Sequence, residues 1–247
     1  NVINTQMELT ESDANGRFAI NNHDLLEAIK GFSEQPITFD VNLQDNIAKI
    51  SYQNGLFSLP VENADEYPQS QPITEGINTI VMPSNVLADN INRSLFATAQ
   101  DELRPVMNGI YFDLTPEHLA VVASDGHKLV RNKVFTVQSE QPASFILPKK
   151  PAGLLKNLLQ KDGGDVEIKF NERNAEINYG DGRLSCRLIE GRYPNYNSVI
   201  PQNNTNTLTV DRLALLAALR RVQPFAKDSS NLIRFHVEGS TLQLDAE

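Results

Sequence analysis

The sequence has no tryptophan, one cysteine and no long apolar stretch. The lone Cys186 excludes an internal disulfide, and its alternating surroundings mark it as a small core residue rather than a reactive thiol. No run approaches the ~18–20 apolar residues of a membrane span. No secretory leader is legible and the chain does not begin with Met, so the expectation is a soluble, cytoplasmic protein or a fragment of one. Histidine is also scarce. His23, His118, His127 and His236 have no metal-ligand spacing, so no metal is expected. The run KDGGD at 161–165 lacks both the P-loop ending and the dinucleotide pattern. It reads as a helix-to-strand turn, and no cofactor is expected.

What is present suffices for a packed core. The chain has 247 residues, 40% of them hydrophobic, enough for one large domain or two smaller ones. Its net charge of −9 argues against a protein that coats nucleic acid. The charge is unevenly spread, however. Residues 141–161 contain no acid and four lysines, Lys149, Lys150, Lys156 and Lys161. Beyond Asp211 follow Arg212, Arg220, Arg221 and Lys227. Such clusters are either solvated helix faces or an anion-facing surface, and charge alone leaves both readings open.

The chain repeats itself. AKISYQNGLFSL at 48–59 and AEINYGDGRLSC at 175–186 share five of twelve positions at an offset of 127: Ala48/Ala175, Ile50/Ile177, Tyr52/Tyr179, Gly55/Gly182 and Ser58/Ser185. Both alternate around NG or DG, a hairpin signal. Leu119/Leu242 and Ala123/Ala246 match at an offset of 123. The unit is therefore roughly 125 residues, the size of a domain rather than a solenoid repeat. The repeat phase predicts the back half of one unit, a whole second unit and the front half of a third, within a protein of roughly 370 residues that this chain would represent truncated at both ends.

Apolar spacing predicts helices over 21–32, 83–99, 148–161 and 211–222, with starts at Pro83-Ser84 and at Asp211. Alternation predicts strands over 37–41, 48–51, 109–114, 119–123, 165–170 and 175–178. Two helices and about eight strands per unit give an α+β class, with helices packed on antiparallel sheet. Segments 68–77 and 201–207 read as linkers.

In VASDGHKLV, at 122–130, Ser124, Asp125 and His127 are the residue types of a hydrolase triad. At a strand end and turn they are poorly placed to converge, and no G-x-S-x-G elbow is present. Asp125-Gly126 reads instead as a turn whose aspartate binds backbone amides. No catalytic residue is expected.

RPVMNGIYF (104–112), VASDGHKLV (122–130) and LIEGRYPNYNSVIP (188–201), in this order and spacing, resemble the bacterial sliding clamp, the beta subunit of DNA polymerase III. The first two are worded most like clamps of the Bacteroidetes group. The resemblance covers essentially the whole chain. It implies a non-enzymatic processivity factor built of repeated DNA-clamp domains arranged as a crescent. Two crescents join head to tail around duplex DNA, with helices inside and sheets outside. The domains would be 1–72 (back half of the first), 73–201 (the second) and 202–247 (front half of the third). Lys149 and Lys150 match a channel-facing basic pair, and Arg93, Lys156, Arg220 and Arg221 are further DNA-facing candidates by helix position. Diffuse phosphate contact without base readout lets such a ring slide.

The resemblance further implies a groove that docks short linear motifs of the polymerase III catalytic subunit, the clamp loader, other polymerases, mismatch-repair proteins and ligase. Its positions here are Arg104, Met107, Ser124, Gly126, His127, Lys128, Leu129, Pro194 and Val199. Leu129, Pro194 and Val199 would hold apolar anchors, and Met107 would repack for different partners. Ser198 stands where the family often has arginine, and the family's C-terminal strand, which completes the groove, is not in this sequence. Phe57 and Leu59 match dimer-interface positions, with Val222 and Phe225 as counterparts. Two other readings compete: a repeat-built peptide-binding scaffold that does not encircle DNA, and a hydrolase using Ser124 and His127.

Overall fold

The structure, a computed structural model, describes residues 1–67, 72–159, 163–227 and 230–246, apart from the Glu66 side chain. Lys161, the start of KDGGD and part of the 68–77 linker lie outside the described residues. The chain forms two compact units, Asn1–Tyr196 and Asn197–Glu247.

The first unit opens with β1 (Val2–Thr5), β2 (Phe18–Ile20), α1 (Asn22–Ile29), β3 (Thr38–Asn42), β4 (Ile47–Tyr52) and β5 (Gly55–Asn63). It continues with β6 (Asn78–Pro83), α2 (Ser84–Ser94), β7 (Gly109–Leu114), β8 (Leu119–Ser124), β9 (Leu129–Val134), β10 (Ala143–Pro148), α3 (Lys149–Leu158), β11 (Asp165–Phe170), β12 (Asn174–Tyr179) and β13 (Gly182–Arg187). All ladders are antiparallel, in sheets ordered β2-β5-β4-β3, β10-β7-β8-β9 and β1-β13-β12-β11-β6. From β6 to β13 there are two helices and eight strands, the α+β content expected of one repeat.

The main core lies between these two helices and the β10-β7-β8-β9 and β1-β13-β12-β11-β6 sheets. Leu87 and Ile91 are four residues apart on α2, and Ala152 and Leu155 are three apart on α3, so each helix buries one stripe. Phe145 on β10 stacks on Phe112 of β7 at 4.6 Å and meets Phe170 of β11 at 4.4 Å, joining the two sheets. Fully burying such a side chain stabilises the fold by about 1.5–3 kcal/mol. Cys186 is buried here, and burial pushes its thiol up to about 11. It is inert.

The repeat has a packing cause. Ala48, Ile50, Ala175 and Ile177 are all at most 1% exposed. The hairpins form where NG and DG lie, yet Gly55 and Gly182 are not in the two-residue loops, which are Gln53-Asn54 in the first hairpin and Gly180-Asp181, with Gly180 at φ +42°, in the second. Tyr52 pairs with Gly55 and Tyr179 with Gly182, so each glycine is the first residue of its strand. The tyrosine ring lies across it, and a Cβ there would overlap the ring.

β1 precedes the first hairpin of the chain, yet it pairs with β13, Val2 opposite Ser185 and Thr5 opposite Gly182. No local pattern announces a partner so distant in sequence.

The second unit holds α4 (Arg212–Val222), β14 (Ile233–Glu238) and β15 (Thr241–Ala246). Asp211 caps α4 as expected, accepting from the Ala214 amide at 2.7 Å. No described residue of this unit is buried. Ala214, Ala218, Val222, Leu242 and Leu244 line an open apolar cavity of about 450 Å³.

Candidate partner-binding groove and nucleic-acid face

The turn after β8 is built by its own side chains. Asp125 Oδ1 accepts from the amides of His127 and Lys128, both at 2.9 Å, and Oδ2 takes Lys128 Nζ. Ser124 Oγ accepts from the Gly126 amide at 3.1 Å. The Lys128 ammonium and these amides hold the Asp125 carboxyl well below the usual carboxylate range. Ser124 and Asp125 thus serve the turn, His127 is exposed, and the three make no triad.

A second segment meets this turn. Asn108 accepts from the Asp101 amide and donates to the Asp101 carbonyl, both at 2.9 Å. Asp101 Oδ1 accepts from the Leu103 amide and Oδ2 from Arg104 Nε, both at 2.8 Å. The Arg104 guanidinium, followed by the Leu103 amide, lowers the Asp101 carboxyl. Arg104 Nη1 then lies 2.9 Å from the point where a Cβ on Gly126 would sit, and Gly126 has φ +92°. Only glycine suits that backbone and that close approach.

The third segment is anchored by aromatic contacts. Tyr193 stacks on Tyr111 of β7 at 4.6 Å, and Tyr196 donates to Asp113 Oδ2 at 2.7 Å. Val106 Cγ1 lies 2.8 Å from where a Cβ on Gly191 would be. The exposed Pro194 is therefore held between two buried tyrosines.

The fold thus gathers Arg104, Ser124, Gly126, His127, Lys128, Leu129 and Pro194 on three segments in mutual contact. Met107 behaves differently from expectation. Its side chain is 6% exposed, and its carbonyl accepts from the Ala99 amide, so it packs inward rather than offering an open, adaptable surface. Val199 and Ser198 belong to the second unit, where both are exposed. Sequence reasoning missed Asp101, Asn108, Val106, Tyr193 and Tyr196. One signal was available: Asp101/Arg104 and Asp125/Lys128 share an acid-x-x-base spacing.

Basic residues fall into three kinds. Lys149 and Lys150 are exposed in the first turn of α3, which has no acid, and neither pairs with a carboxylate among the described residues. A helix N-terminus disfavours cations, so this placement does not serve the helix. Arg93 is paired with Asp89 at 3.7 Å, and Lys156 is half-buried. Arg220 and Arg221 are exposed in the last turn of α4, where the helix dipole favours them.

Phe57 and Leu59 are half-buried on β5, with Phe57 stacked on Tyr52 at 5.3 Å and on Phe32 at 5.9 Å. Val222 lines the second unit's cavity, and Phe225 is 78% exposed. Among the described residues no three His, Cys, Asp or Glu side chains gather as a metal site, and no helix is long and apolar enough to cross a membrane.

A family profile described as the DNA polymerase III beta subunit, central domain, matches residues 81–195. The beta sliding clamp of Synechococcus elongatus is 28% identical over 212 residues, 83% of this chain and 56% of that protein. That of Treponema pallidum is 30% identical over 200 residues, 81% of this chain and 52% of that protein. The solved DnaN sliding clamp of Pseudomonas aeruginosa bound to griselimycin matches with a TM-score of 0.90 at 22% identity, covering 99% of this chain and 66% of that one. The chain therefore spans little more than half the length of the first two relatives. The profile on its central residues, the clamp relatives along most of its length and the shared fold make this chain similar throughout to the DNA polymerase III beta subunits, the beta sliding clamps.

Proposed function

We propose that this chain is part of a cytoplasmic, non-catalytic ring that encircles duplex DNA and tethers DNA polymerase III and other DNA-processing proteins to it. Residues 1–72, 73–201 and 202–247 serve as the back half of a first clamp domain, a complete second and the front half of a third. The observation that carries the DNA reading is the Lys149-Lys150 pair, exposed at the helix end where cations are least favoured and, among the described residues, without a neutralising carboxylate. A duplex phosphate backbone supplies the missing anion. Contact through mobile lysines releases counterions without reading bases, which permits sliding.

The open edge of β5 supports head-to-tail self-association. Over Gly55–Leu59 this strand pairs only with β4 among the described residues, leaving its other edge free. Its repeat equivalent, β13, has the same edge covered by β1. A strand of a second copy, with the apolar contacts of Phe57, Leu59, Val222 and Phe225, is proposed to cover β5 in the same way.

Partner peptides are proposed to dock where Arg104, the 124–129 turn and Pro194 meet, with Leu129 and Pro194 receiving apolar anchors. For the ring, the protein carrying all three domains should stay on closed circular DNA after loading and leave once the circle is linearised. Retention on linear DNA with free ends would rule out topological binding.

A further inference from the structure

Arg104 carries a long, flexible side chain, yet its position is determined at both ends. Asp101 Oδ2 holds Nε, and Nη1 lies over Gly126. Asp101 is itself fixed by four bonds: the two exchanged with Asn108, the Leu103 amide on Oδ1 and Arg104 on Oδ2. The Asp101 side chain is only 27% exposed, whereas that of Arg104 remains 52% exposed. The carboxylate is thus part of the loop's frame, and the guanidinium stays within reach of a ligand.

Lys128 is held in the same manner. Asp125, three residues earlier, puts one oxygen on backbone amides and the other on the lysine. Both cations of this wall therefore share one device, an aspartate at i−3 tied to the main chain on one side and to the cation on the other. Surface ion pairs usually contribute little to stability, so two such pairs, one of which seats its guanidinium over Gly126, point to placement of the cations.

We propose that Asp101 is a positioning residue for partner binding: by engaging Arg104 through Nε, it turns the Nη edge across Gly126 toward the groove, so that a docking peptide meets an ordered donor for its carbonyl oxygens. This rests on the groove reading above. Ordering the guanidinium beforehand removes an entropic cost from binding. The peptide's acceptors then meet N–H groups that are already aimed, with Asp101 occupied elsewhere on the same guanidinium.

The test is fluorescence anisotropy of a labelled peptide from the C-terminal tail of the cognate polymerase III catalytic subunit. It is titrated with the intact protein as wild type, Asp101→Ala, Arg104→Ala and the double variant, with Leu129→Ala as a control on the groove itself. Asp101→Ala is expected to weaken binding about three- to tenfold, and to add nothing in the Arg104→Ala background. Asp101→Asn keeps one oxygen to accept from the Leu103 amide but puts an NH2 where Oδ2 accepted from Arg104 Nε, so it should retain the loop, release the guanidinium and weaken binding much as Asp101→Ala does. Unchanged or tighter binding by Asp101→Ala overturns the proposal. So does a loss that persists in full without Arg104, because Asp101 would then only brace the loop. A peptide indifferent to Leu129→Ala would instead remove the groove reading, a separate failure.

Discussion

Tyr193 lies flat on Tyr111, their ring planes 1° apart and their centroids 4.6 Å apart. The stack pins the residue before Pro194 to the sheet, and Tyr196 pins the residue two places after it. Burial pushes the Tyr193 hydroxyl up to about 12. That hydroxyl is sealed from solvent beside the Ser124 backbone and makes no hydrogen bond of normal geometry. Tyr193→Phe should therefore be neutral or slightly stabilising, by up to about 1 kcal/mol, since an unsatisfied buried group is removed. Tyr193→Ala should cost about 3–5 kcal/mol and loosen Pro194. Chemical denaturation and peptide titration of both variants distinguish the ring's role from that of its oxygen.

Gly126→Ala combines two penalties. The backbone at φ +92° disfavours any side chain, and the new methyl would press on Arg104 Nη1. A destabilisation of about 1–2 kcal/mol is expected, together with weaker peptide binding as the guanidinium is displaced. In an Arg104→Ala background the binding effect should shrink while the stability loss stays.

Replacing Lys149 and Lys150 together by glutamate should weaken binding to duplex DNA equally for all sequences. The dependence of log affinity on log salt should become shallower by roughly two, near 0.9 for each lost phosphate contact. Peptide docking should be unaffected, because the groove segments do not include α3. An unchanged salt slope would remove this pair from the DNA face.

Asp125 and Asp101 both titrate below their ordinary value of 3.8, each chiefly through the cation three residues on. A lowered carboxyl contributes stability that is fully present above the unfolded-state value and is lost as pH falls toward the folded one. The melting temperature should thus decline below about pH 4. Asp125→Asn should melt lower at neutral pH and show a shallower acid decline. A parallel decline in both proteins would mean that other carboxylates control acid unfolding.

Much of this molecule follows from local sequence. Helix positions track the apolar stripes, because burying one face is what stabilises a short helix. The Asp125 turn was legible because an aspartate before glycine readily accepts from the amides two and three residues on. The repeat was legible because Ala48, Ile50, Tyr52 and Gly55 meet the same neighbours as Ala175, Ile177, Tyr179 and Gly182. Tertiary structure decided the rest. That Gly55 and Gly182 start strands beneath tyrosine rings, rather than turning the hairpins themselves, depends on where the rings come to lie. The pairing of β1 with β13, the seating of Arg104 on Gly126 and the stacking of Tyr193 on Tyr111 join residues far apart in the chain. Their partners are selected by the packed sheets between them, and spacing along one segment carries no record of that choice.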